Sequence, residues 1–380
     1  MTPRSLIRSA LRLLGPRRPP LHERAAHSLY SPGPGEDPSP LYAALRREGP
    51  VHLMREGFWL ALGYDEVAYA LRHPELFSSV HTPPRFDPIL NESDPPHHTA
   101  LRRRVAPCFA AARTEGLERT ARACARELLE GAGGRLEMVG AFAVPLTETV
   151  AGAFLGLAPH DTASLRARLD GHRDARDGAG YTVLEEWLRS HAAQGEGAPC
   201  ALGSDEETVG LLKLFWVAAT STTARLIPLA MLRLLRDPGL RSRLLHDRAL
   251  IPAFVEEAAR LHPPEQLLWR VARPGAELGG RAIPAGAGVR LCVGAANRDP
   301  AHFADPDTLS LERSPNPHLT FGLGPHFCPG ARLARMQLRV AVETVLELWP
   351  GFALACAGDD PRMVHPVDYH GLVSLPVVRG

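Results

Sequence analysis

The sequence predicts a mainly α-helical protein with a small β region, folded as one unit. Apolar residues recur at helical spacing over most of the chain, whereas between 271 and 293 they follow the pattern of linked hairpins. No repeat or linker divides the 380 residues, so we expect an N-terminal tail at 1–36 and a single domain at 37–380. The content of 45% hydrophobic and 22% charged residues argues against disordered and fibrous classes.

The N-terminal elements are predicted from caps and turns. The tail is rich in Pro, Arg and Gly, and Ser39-Pro40 then opens a helix to about residue 47, because proline suits the first helical turn. Turn residues at Glu56-Gly57 indicate a hairpin. The elements expected here are this hairpin at 51–62, a short helix ending at 73, and helices across 99–157 with breaks near 131–134 and 145.

The C-terminal half is predicted to contain the longest helix, the strands and a final strong helix. Helices are expected at 165–173, 183–193, 207–236, 241–245, 251–261 and 331–348. Pro228 should kink the longest of them. Gly279-Gly280 and Pro284-Ala285-Gly286 are turns between short strands, a turn-rich meander spans 298–321, and the tail after Pro350 again has strand character.

Charge and cysteines limit the partners and the compartment. A formal net charge of +1 gives no reason to expect a nucleic acid or an anionic membrane as partner. The apolar stretch at 6–14 is interrupted by arginines and is too short for a signal peptide or a membrane span. Six cysteines without paired spacing are poor material for a disulfide framework and suit a reducing compartment. We therefore expect a cytoplasmic monomer.

The most informative segment is a glycine-rich loop around one cysteine, Phe321-Gly322-Leu323-Gly324-Pro325-His326-Phe327-Cys328-Pro329-Gly330, followed directly by a helix. Glycines let the backbone approach a flat ligand closely. Peptide N–H groups and the helix N-terminus are expected to lower the pKa of the Cys328 thiol and favour the thiolate that a metal requires. A lone cysteine is usually just a buried turn residue, but the spacing of this loop favours a ligand.

The loop resembles the haem-binding signature of the cytochrome P-450 family. The resemblance implies haem b (iron protoporphyrin IX) as cofactor and Cys328 as its metal ligand, with Phe321 near the sulphur, His326 at a propionate and Gly330 in the haem-binding loop. A thiolate ligand pushes electron density onto the iron and favours O–O cleavage. The family fold, a triangular prism-like and mainly helical domain with a small β part, is then expected for 37–380.

Further segments match the family in the expected order. Glu257 and Arg260 resemble its Glu-x-x-Arg motif, which braces the cysteine loop through a later arginine, here Arg313. Taken alone, an acid–base pair one helical turn apart is commonplace and stabilises little. The resemblance also implies a set of propionate contacts, formed by His98, Arg102 and Arg270.

The long helix differs from the family pattern at the residues that, in the family, relay protons to the iron-bound dioxygen. Thr222 matches the family threonine, but Ser221 stands at the usual acid position and Ala219 replaces a glycine. Serine passes a hydrogen bond but offers no acidic proton near neutral pH. Three explanations stay open: water and Thr222 suffice, the substrate supplies a polar group, or the reaction is atypical, such as oxidative coupling.

The lid and pocket suggest the substrate class. Only two short helices flank the stretch 177–180. This short lid predicts an open pocket mouth and a bulky or tethered substrate, such as one bound to a carrier protein. Simple variation in loop length explains the short lid equally well. The resemblance implies pocket walls in the loop around 79–91, the helix near 217–222 and the segment 264–269. Their side chains include the apolar Phe86, Phe215, Leu267 and Leu268 and the charged Arg85 and Glu265.

The resemblance implies a monooxygenase that hydroxylates or couples a mostly apolar secondary-metabolite or fatty-acyl substrate, free or carrier-bound. No flavin or nicotinamide motif is present, so a ferredoxin or flavodoxin-type donor is expected to supply electrons. The arginines available for its docking are Arg102, Arg103, Arg104, Arg332 and Arg335. The alternatives are a non-catalytic haem-binding homologue that acts as a partner protein, a haem sensor, or a peroxide-driven peroxygenase.

Overall fold

The computed structural model describes residues 37–81, 89–170, 179–192, 206–355, 361, 363 and 370–380. Helices dominate, as predicted. In chain order they are α1 (Ser39–Glu48), α2 (Tyr64–Arg72), α3 (His97–Val105), α4 (Ala111–Glu130), α5 (Val144–Leu155), α6 (Pro159–Asp170), α7 (Ala179–Ala192), α8 (Glu206–Arg236), α9 (Pro238–His246), α10 (Ile251–Leu261), α11 (Val293–Ala296) and α12 (Ala331–Leu348). A π-helical segment, Val139–Ala143, leads into α5, and short 3₁₀ turns include Ala106–Phe109 and Gly324–His326.

The strands form a small β region. They are β1 (Val51–Leu53), β2 (Trp59–Ala61), β3 (Phe77–Ser78), β4 (Arg135–Glu137), β5 (Leu267–Ala272), β6 (Glu277–Leu278), β7 (Arg281–Ala282), β8 (Gly288–Cys292), β9 (Ala353–Leu354) and β10 (Pro376–Val378). One sheet has the order β1-β2-β8-β5-β3, with β2 and β8 parallel and the other pairs antiparallel. The predicted hairpin is confirmed by the pairing of β1 with β2.

The second sheet confirms the strand character predicted after Pro350, where β9 and β10 lie, but its strand β4 was not expected from the sequence. It has the order β4-β10-β9 and joins residues far apart in the chain. The pairing of Leu136 with Val377 is an example. The segment 135–137 is too short to show a period of two, and its partner strand lies more than two hundred residues away, so no local pattern predicted it.

The core surrounds the long helix α8. This helix packs against α5, α7 and α12, and α4 packs along α12. Its C-terminal half is almost completely buried and includes Ile227, Ala230, Met231 and Leu234. Within the described part of the chain, α8 is the one helix long and apolar enough to cross a membrane, but its burial against neighbouring helices is that of a core helix.

The described cysteines do not form a disulfide framework. Cys108 is disulfide-bonded, but a single bond is not the framework that the scattered spacing argued against. Cys124, Cys292 and Cys328 are free thiols. The tail 1–36, Arg85, Phe86 and residues 177 and 178 of the predicted lid lie outside the described residues.

Candidate functional site: a cysteine loop beneath a cluster of histidines and arginines

The cysteine loop is a tight turn that depends on two glycines. Gly322 and Gly324 have φ values of +68° and +70°, a conformation that residues with a Cβ rarely adopt. A Cβ at Gly324 would also lie 2.6 Å from the carbonyl oxygen of Leu71, so the loop packs directly on the end of α2. The backbone N–H of Cys328 donates to the carbonyl of Phe321 at 2.8 Å, which closes the turn just before α12 begins.

The Cys328 thiol does not have the lowered pKa that the sequence suggested. The protein packed around it raises the pKa, although a hydrogen bond from the Gly330 backbone N–H acts in the opposite direction. Burial disfavours a thiolate that has no positive partner, and here it outweighs the peptide N–H groups and the nearby Arg102. Ligation by a metal ion would supply the missing positive charge and favour the thiolate.

Four predicted cofactor contacts meet near this loop. Arg102, on α3, donates from Nη2 to the carbonyl oxygen of Phe327 at 2.7 Å. The rings of His98 and His326 lie 4.1 Å apart between centroids. His326 Nε2 lies 3.1 Å from the Ser79 hydroxyl. Arg270, on β5, is only 8% exposed.

The electrostatics of this cluster suit an anionic ligand. Burial, together with Arg270 and His98, lowers the pKa of His326 to about 3. Burial and the nearby Arg102 also lower the pKa of His98, and burial lowers the pKa of Arg270 to about 10. Among the described residues Arg270 forms no ion pair within 4 Å, although the charges of Asp94 and Glu265 act on it from farther away, and its guanidinium donates to the carbonyl of Trp269. A buried guanidinium normally needs a carboxylate or similar anion. Haem propionates are such anions, so these residues fit the predicted haem.

A buried network braces the meander that leads into the loop. Arg260 and Glu257 on α10 form a doubly hydrogen-bonded pair at 2.6 and 2.8 Å, with side chains 0% and 1% exposed. The predicted third member, Arg313, donates to Glu257 at 3.0 Å. Arg260 also donates to the carbonyls of Asn297, Pro306 and Thr308 in the meander. The structure therefore brings Glu257, Arg260 and Arg313 together as expected.

Asn297 is a bracing residue that the sequence did not identify. Its side chain accepts from the Leu319 backbone N–H at 2.7 Å and donates to the Thr320 hydroxyl at 2.9 Å. Thr320 in turn donates to the carbonyl of Ala259 on α10. These bonds hold the residues just before Phe321 against α10. Its full burial was not apparent from the sequence, where Asn297 lies in a polar turn.

A second ion-pair network lies on the other side of the loop. Glu256 accepts from Arg335 at 2.6 and 2.8 Å and lies 3.1 Å from His318 Nε2. Burial would raise the pKa of Glu256, but the bonds from His318 and Arg335 outweigh it and lower the pKa to about 2. The Arg335 guanidinium also stacks over the Phe321 ring, 4.3 Å from its centroid. Phe321 and α12 are thereby fixed to each other.

The predicted relay residues lie on a stretch of α8 with several side-chain to backbone bonds. The Thr222 hydroxyl donates to the carbonyl of Ala218 at 2.9 Å, and the Thr220 hydroxyl donates to that of Trp216 at 2.8 Å. The carbonyl of Ser221 accepts from the Arg225 guanidinium at 3.1 Å. With its proton directed to Ala218, the Thr222 oxygen keeps its lone pairs as acceptors.

Two of the predicted pocket residues are core residues instead. Phe215 packs with Phe109 and Phe154, with ring centroids 5.3 and 5.9 Å away, and is 5% exposed. Leu267 is 4% exposed and belongs to the cluster around Tyr42. Both are apolar, and a sequence does not show which apolar side of a helix or strand faces a pocket.

The arginines of the cysteine-side face are largely compensated. Arg335 is paired with Glu256, and Arg104 forms an ion pair with Glu207. Arg102 is turned toward the Phe327 carbonyl. Arg103 and Arg332 are exposed and, within the described parts of the chain, form no ion pair. The face is therefore less basic than the number of arginines suggests.

Comparisons with known proteins agree with this geometry. A family model described as Cytochrome P450 matches residues 163–363. The chain is 34% identical to the cytochrome P450 monooxygenase PikC of Streptomyces venezuelae, over 90% of this chain and 91% of that protein.

Solved structures give the same result. The hydroxylase HmtN, described as a post-tailoring hydroxylase involved in himastatin biosynthesis, superposes with a TM-score of 0.81 at 30% identity, covering 87% of this chain and 94% of that one. P450BioI in complex with an acyl carrier protein ligated to hexadec-9Z-enoic acid superposes with a TM-score of 0.81 at 27% identity, over 90% and 99% of the two chains. The chain therefore belongs to the cytochrome P450 family and is an oxygen-incorporating oxidoreductase with a haem-iron cofactor.

Proposed function

We propose that this monooxygenase binds haem b and hydroxylates or oxidatively couples an apolar secondary-metabolite or fatty-acyl substrate that is delivered on a carrier protein. The observation that carries the proposal is the meeting of Cys328, Arg102, Arg270, His98 and His326 at one site. When bound, the haem iron supplies the activation of dioxygen.

The residues of the chain have distinct roles in this proposal. Cys328 would ligate the haem iron, and Arg102, Arg270, His98 and His326 would hold the propionates; Phe321 and Gly330 shape the loop around the sulphur. The Thr222 hydroxyl donates its proton to the Ala218 carbonyl, so its oxygen would serve the relay as an acceptor. Ser221 offers a hydroxyl where the family has an acid, so water carries the protons to the site.

Delivery on a carrier protein is supported by a structural neighbour. The superposed P450BioI structure holds an acyl carrier protein. The structural neighbour HmtN, described as a post-tailoring hydroxylase, supports a secondary-metabolite substrate. The proposal treats 37–380 as one monomeric cytoplasmic domain preceded by a tail at 1–36.

The experiment is a Soret titration of the ferric protein with fatty or amino acids, free and loaded on an acyl or peptidyl carrier protein. A low-to-high-spin shift with the loaded carrier alone supports the proposal, because substrate then displaces water from the iron. A shift with the free acids shows an ordinary small-molecule hydroxylase and refutes carrier delivery. Cys328→Ser is the control, since it should lose the spectrum of a thiolate-ligated haem in every sample.

The electron donor is proposed to be an acidic ferredoxin or flavodoxin that docks near the exposed Arg103 and Arg332. Because Arg104 and Arg335 are already paired and Arg102 is turned toward the Phe327 carbonyl, two of the five charges remain to steer the donor. Stopped-flow reduction at increasing ionic strength tests this. Arg332→Gln should slow reduction at low salt and have little effect at high salt. Product formation with peroxide alone, without a further increase on adding a donor, would instead identify a peroxygenase.

A further inference from the structure

An arginine on the distal helix is bonded to the residue at the proton-relay position. Arg225 lies one turn after Ser221 on α8, and its Nη1 donates to the Ser221 carbonyl oxygen at 3.1 Å. Side chains on a helix point toward its N-terminus, so this arginine naturally covers the preceding turn. In a regular helix this carbonyl already accepts the backbone N–H of residue 225, and the guanidinium adds a second donor.

The aliphatic part of the same side chain is held by a buried glycine. A Cβ at Gly371 would lie 2.9 Å from Cγ of Arg225 and 3.1 Å from both Cβ and Cδ. Real Cβ atoms essentially never come closer than 3.0 Å to such atoms, so a side chain at 371 would force the arginine stem or the 370–372 backbone to shift. The absence of a side chain at 371 therefore leaves room for the arginine stem in the conformation that reaches Ser221.

The segment around Gly371 is fixed on its other side. The backbone N–H of His370 donates to the carbonyl of Pro264 at 2.7 Å, in the stretch between α10 and β5. The His370 ring stacks on that of His262, with centroids 5.7 Å apart and planes at 4°. Residues 370–372 are therefore a buried strap that lies between the 264–269 stretch and α8.

The turn that follows Ser221 on α8 lacks one backbone hydrogen bond. Pro228 has no N–H, so the carbonyl of Ala224 lacks the donor that a regular helix would provide. One turn earlier, the Thr222 hydroxyl bonds to the Ala218 carbonyl. Side-chain hydrogen bonds thus help to fix the backbone of this stretch. Of the side chains that form them, Arg225 also contacts the strap.

We propose that Arg225 is a positioning residue of the distal site, which fixes the Ser221 carbonyl and connects the buried strap at 370–372 to the Ser221–Thr222 turn. This inference rests on the proposed function, because it assigns Ser221 and Thr222 to the proton relay. A displacement of the strap moves the arginine stem and removes the second donor from the Ser221 carbonyl oxygen. The lone pair that this donor occupied can then accept from the water or hydroxyl that the relay uses, although the backbone N–H of residue 225 still donates to the same oxygen.

The test compares variants that break the connection at either end. Arg225→Met keeps the stem without the guanidinium, Arg225→Lys keeps a cation, and Gly371→Ala displaces the stem. Matched controls are Arg236→Met at the end of α8 and Gly116→Ala, where a new Cβ meets nothing within 4 Å. The readouts are the infrared C–O band of the ferrous–CO protein and the rate at which the ferrous protein reoxidises in air, in H₂O and in D₂O.

We expect Arg225→Met and Gly371→Ala to shift the C–O band in the same direction and to change the reoxidation rate about two- to tenfold, with an altered solvent isotope effect. Lysine at 225 should restore part of the change, and the double variant should show no more than the larger single effect. A wild-type band and isotope effect in Arg225→Met would overturn the inference, as would multiplicative effects in the double variant.

A failure of the proposed function can be distinguished from a failure of this inference. If wild-type protein lacked the thiolate-type ferrous–CO spectrum, the haem-thiolate function itself would be wrong. Urea unfolding of the two single variants and the double variant would still measure the coupling between Arg225 and Gly371. Additive changes there would overturn the contact, whatever the chemistry.

Discussion

Replacing Glu257 with glutamine would test whether a buried charge network holds the cysteine loop in place. The two side chains have nearly the same shape, so packing is preserved while the charge is lost. Glu257 Oε1 accepts from Arg260, Arg313 and Asn316 at 2.6, 3.0 and 3.0 Å. Its Oε2 accepts from Arg260 and from the Ser310 backbone N–H, both at 2.8 Å.

The expected loss follows from these five bonds. A glutamine keeps one acceptor oxygen and replaces the other with a donor, so at best the three bonds of Oε1 remain and the two of Oε2 are lost. Hydrogen bonds to charged groups contribute about 1.5–3 kcal/mol each. Breaking a buried ion pair from one side costs about 3–5 kcal/mol, because the guanidinium of Arg260 stays buried. We expect the free energy of unfolding to fall by about 4 kcal/mol.

The assay is urea unfolding at pH 7, followed by tryptophan fluorescence and by the haem absorbance. Glu312→Gln is the matched control, since Glu312 forms an ion pair with Arg243 in which the side chains are 67% and 50% exposed. Exposed pairs of this kind contribute little. The control should therefore unfold close to the wild type and keep its haem, whereas Glu257→Gln should lose haem at lower urea concentrations.

The stabilisation that Glu257 provides should decrease as the pH falls. Burial would raise the pKa of Glu257, but its bonds to Arg260 and Ser310 and the charge of Arg313 outweigh it and lower the pKa. A carboxyl with a lowered pKa in the folded state stabilises the fold above its unfolded pKa, and this contribution is lost as the pH falls. The difference in free energy of unfolding between wild type and Glu257→Gln should therefore decrease at acidic pH. If Glu257→Gln and Glu312→Gln unfold alike at pH 7, the reasoning is wrong.

Three further outcomes are expected. Glu256→Gln should destabilise the protein at pH 7, and the difference from wild type should shrink between about pH 4.5 and pH 2 in urea unfolding, because the folded-state pKa of Glu256 is about 2. Gly152→Ala should lower the free energy of unfolding by about 1–3 kcal/mol in thermal unfolding, because the new Cβ would lie 2.1 Å from a threonine hydroxyl on α6. Gly116→Ala is the control and should leave the stability unchanged or raise it. Equal effects of the two substitutions would contradict this reasoning. Arg270→Met should weaken haem retention about 10- to 100-fold in haem-transfer assays, and unchanged retention would contradict its role at a propionate.

Local patterns predicted much of the fold. The final helix Ala331–Leu348 and the helix Ile251–Leu261 have the predicted bounds, and the long helix begins one residue earlier than expected. In these segments apolar periodicity, caps and breakers agree, so the local sequence contains the necessary information. The strands β4 and β10 pair across most of the chain, and short strands of this kind carry no period of their own.

The parts of the candidate site that could be predicted are those whose residues lie close together in the sequence. The cysteine loop is contiguous, and its glycines occupy positions that require a positive φ. Glu257 and Arg260 are one helical turn apart, and Arg313 joins them as the family resemblance implied. The sequence alone therefore identified the cysteine loop that is proposed to hold the haem iron and the acid–base motif that braces the segment leading into it.

Only the tertiary structure decided how charges and pockets are arranged. Arg335 and Arg104, expected on an open basic face, are paired with Glu256 and Glu207. The contact between Arg225 and Gly371 joins segments that are 146 positions apart in the numbering. Ion pairing, desolvation and close packing depend on distances between atoms that the chain brings together only by folding. The order of residues therefore specified the loop proposed to hold the haem iron, while three-dimensional contacts determined the electrostatics around it and the contact between the 370–372 segment and α8.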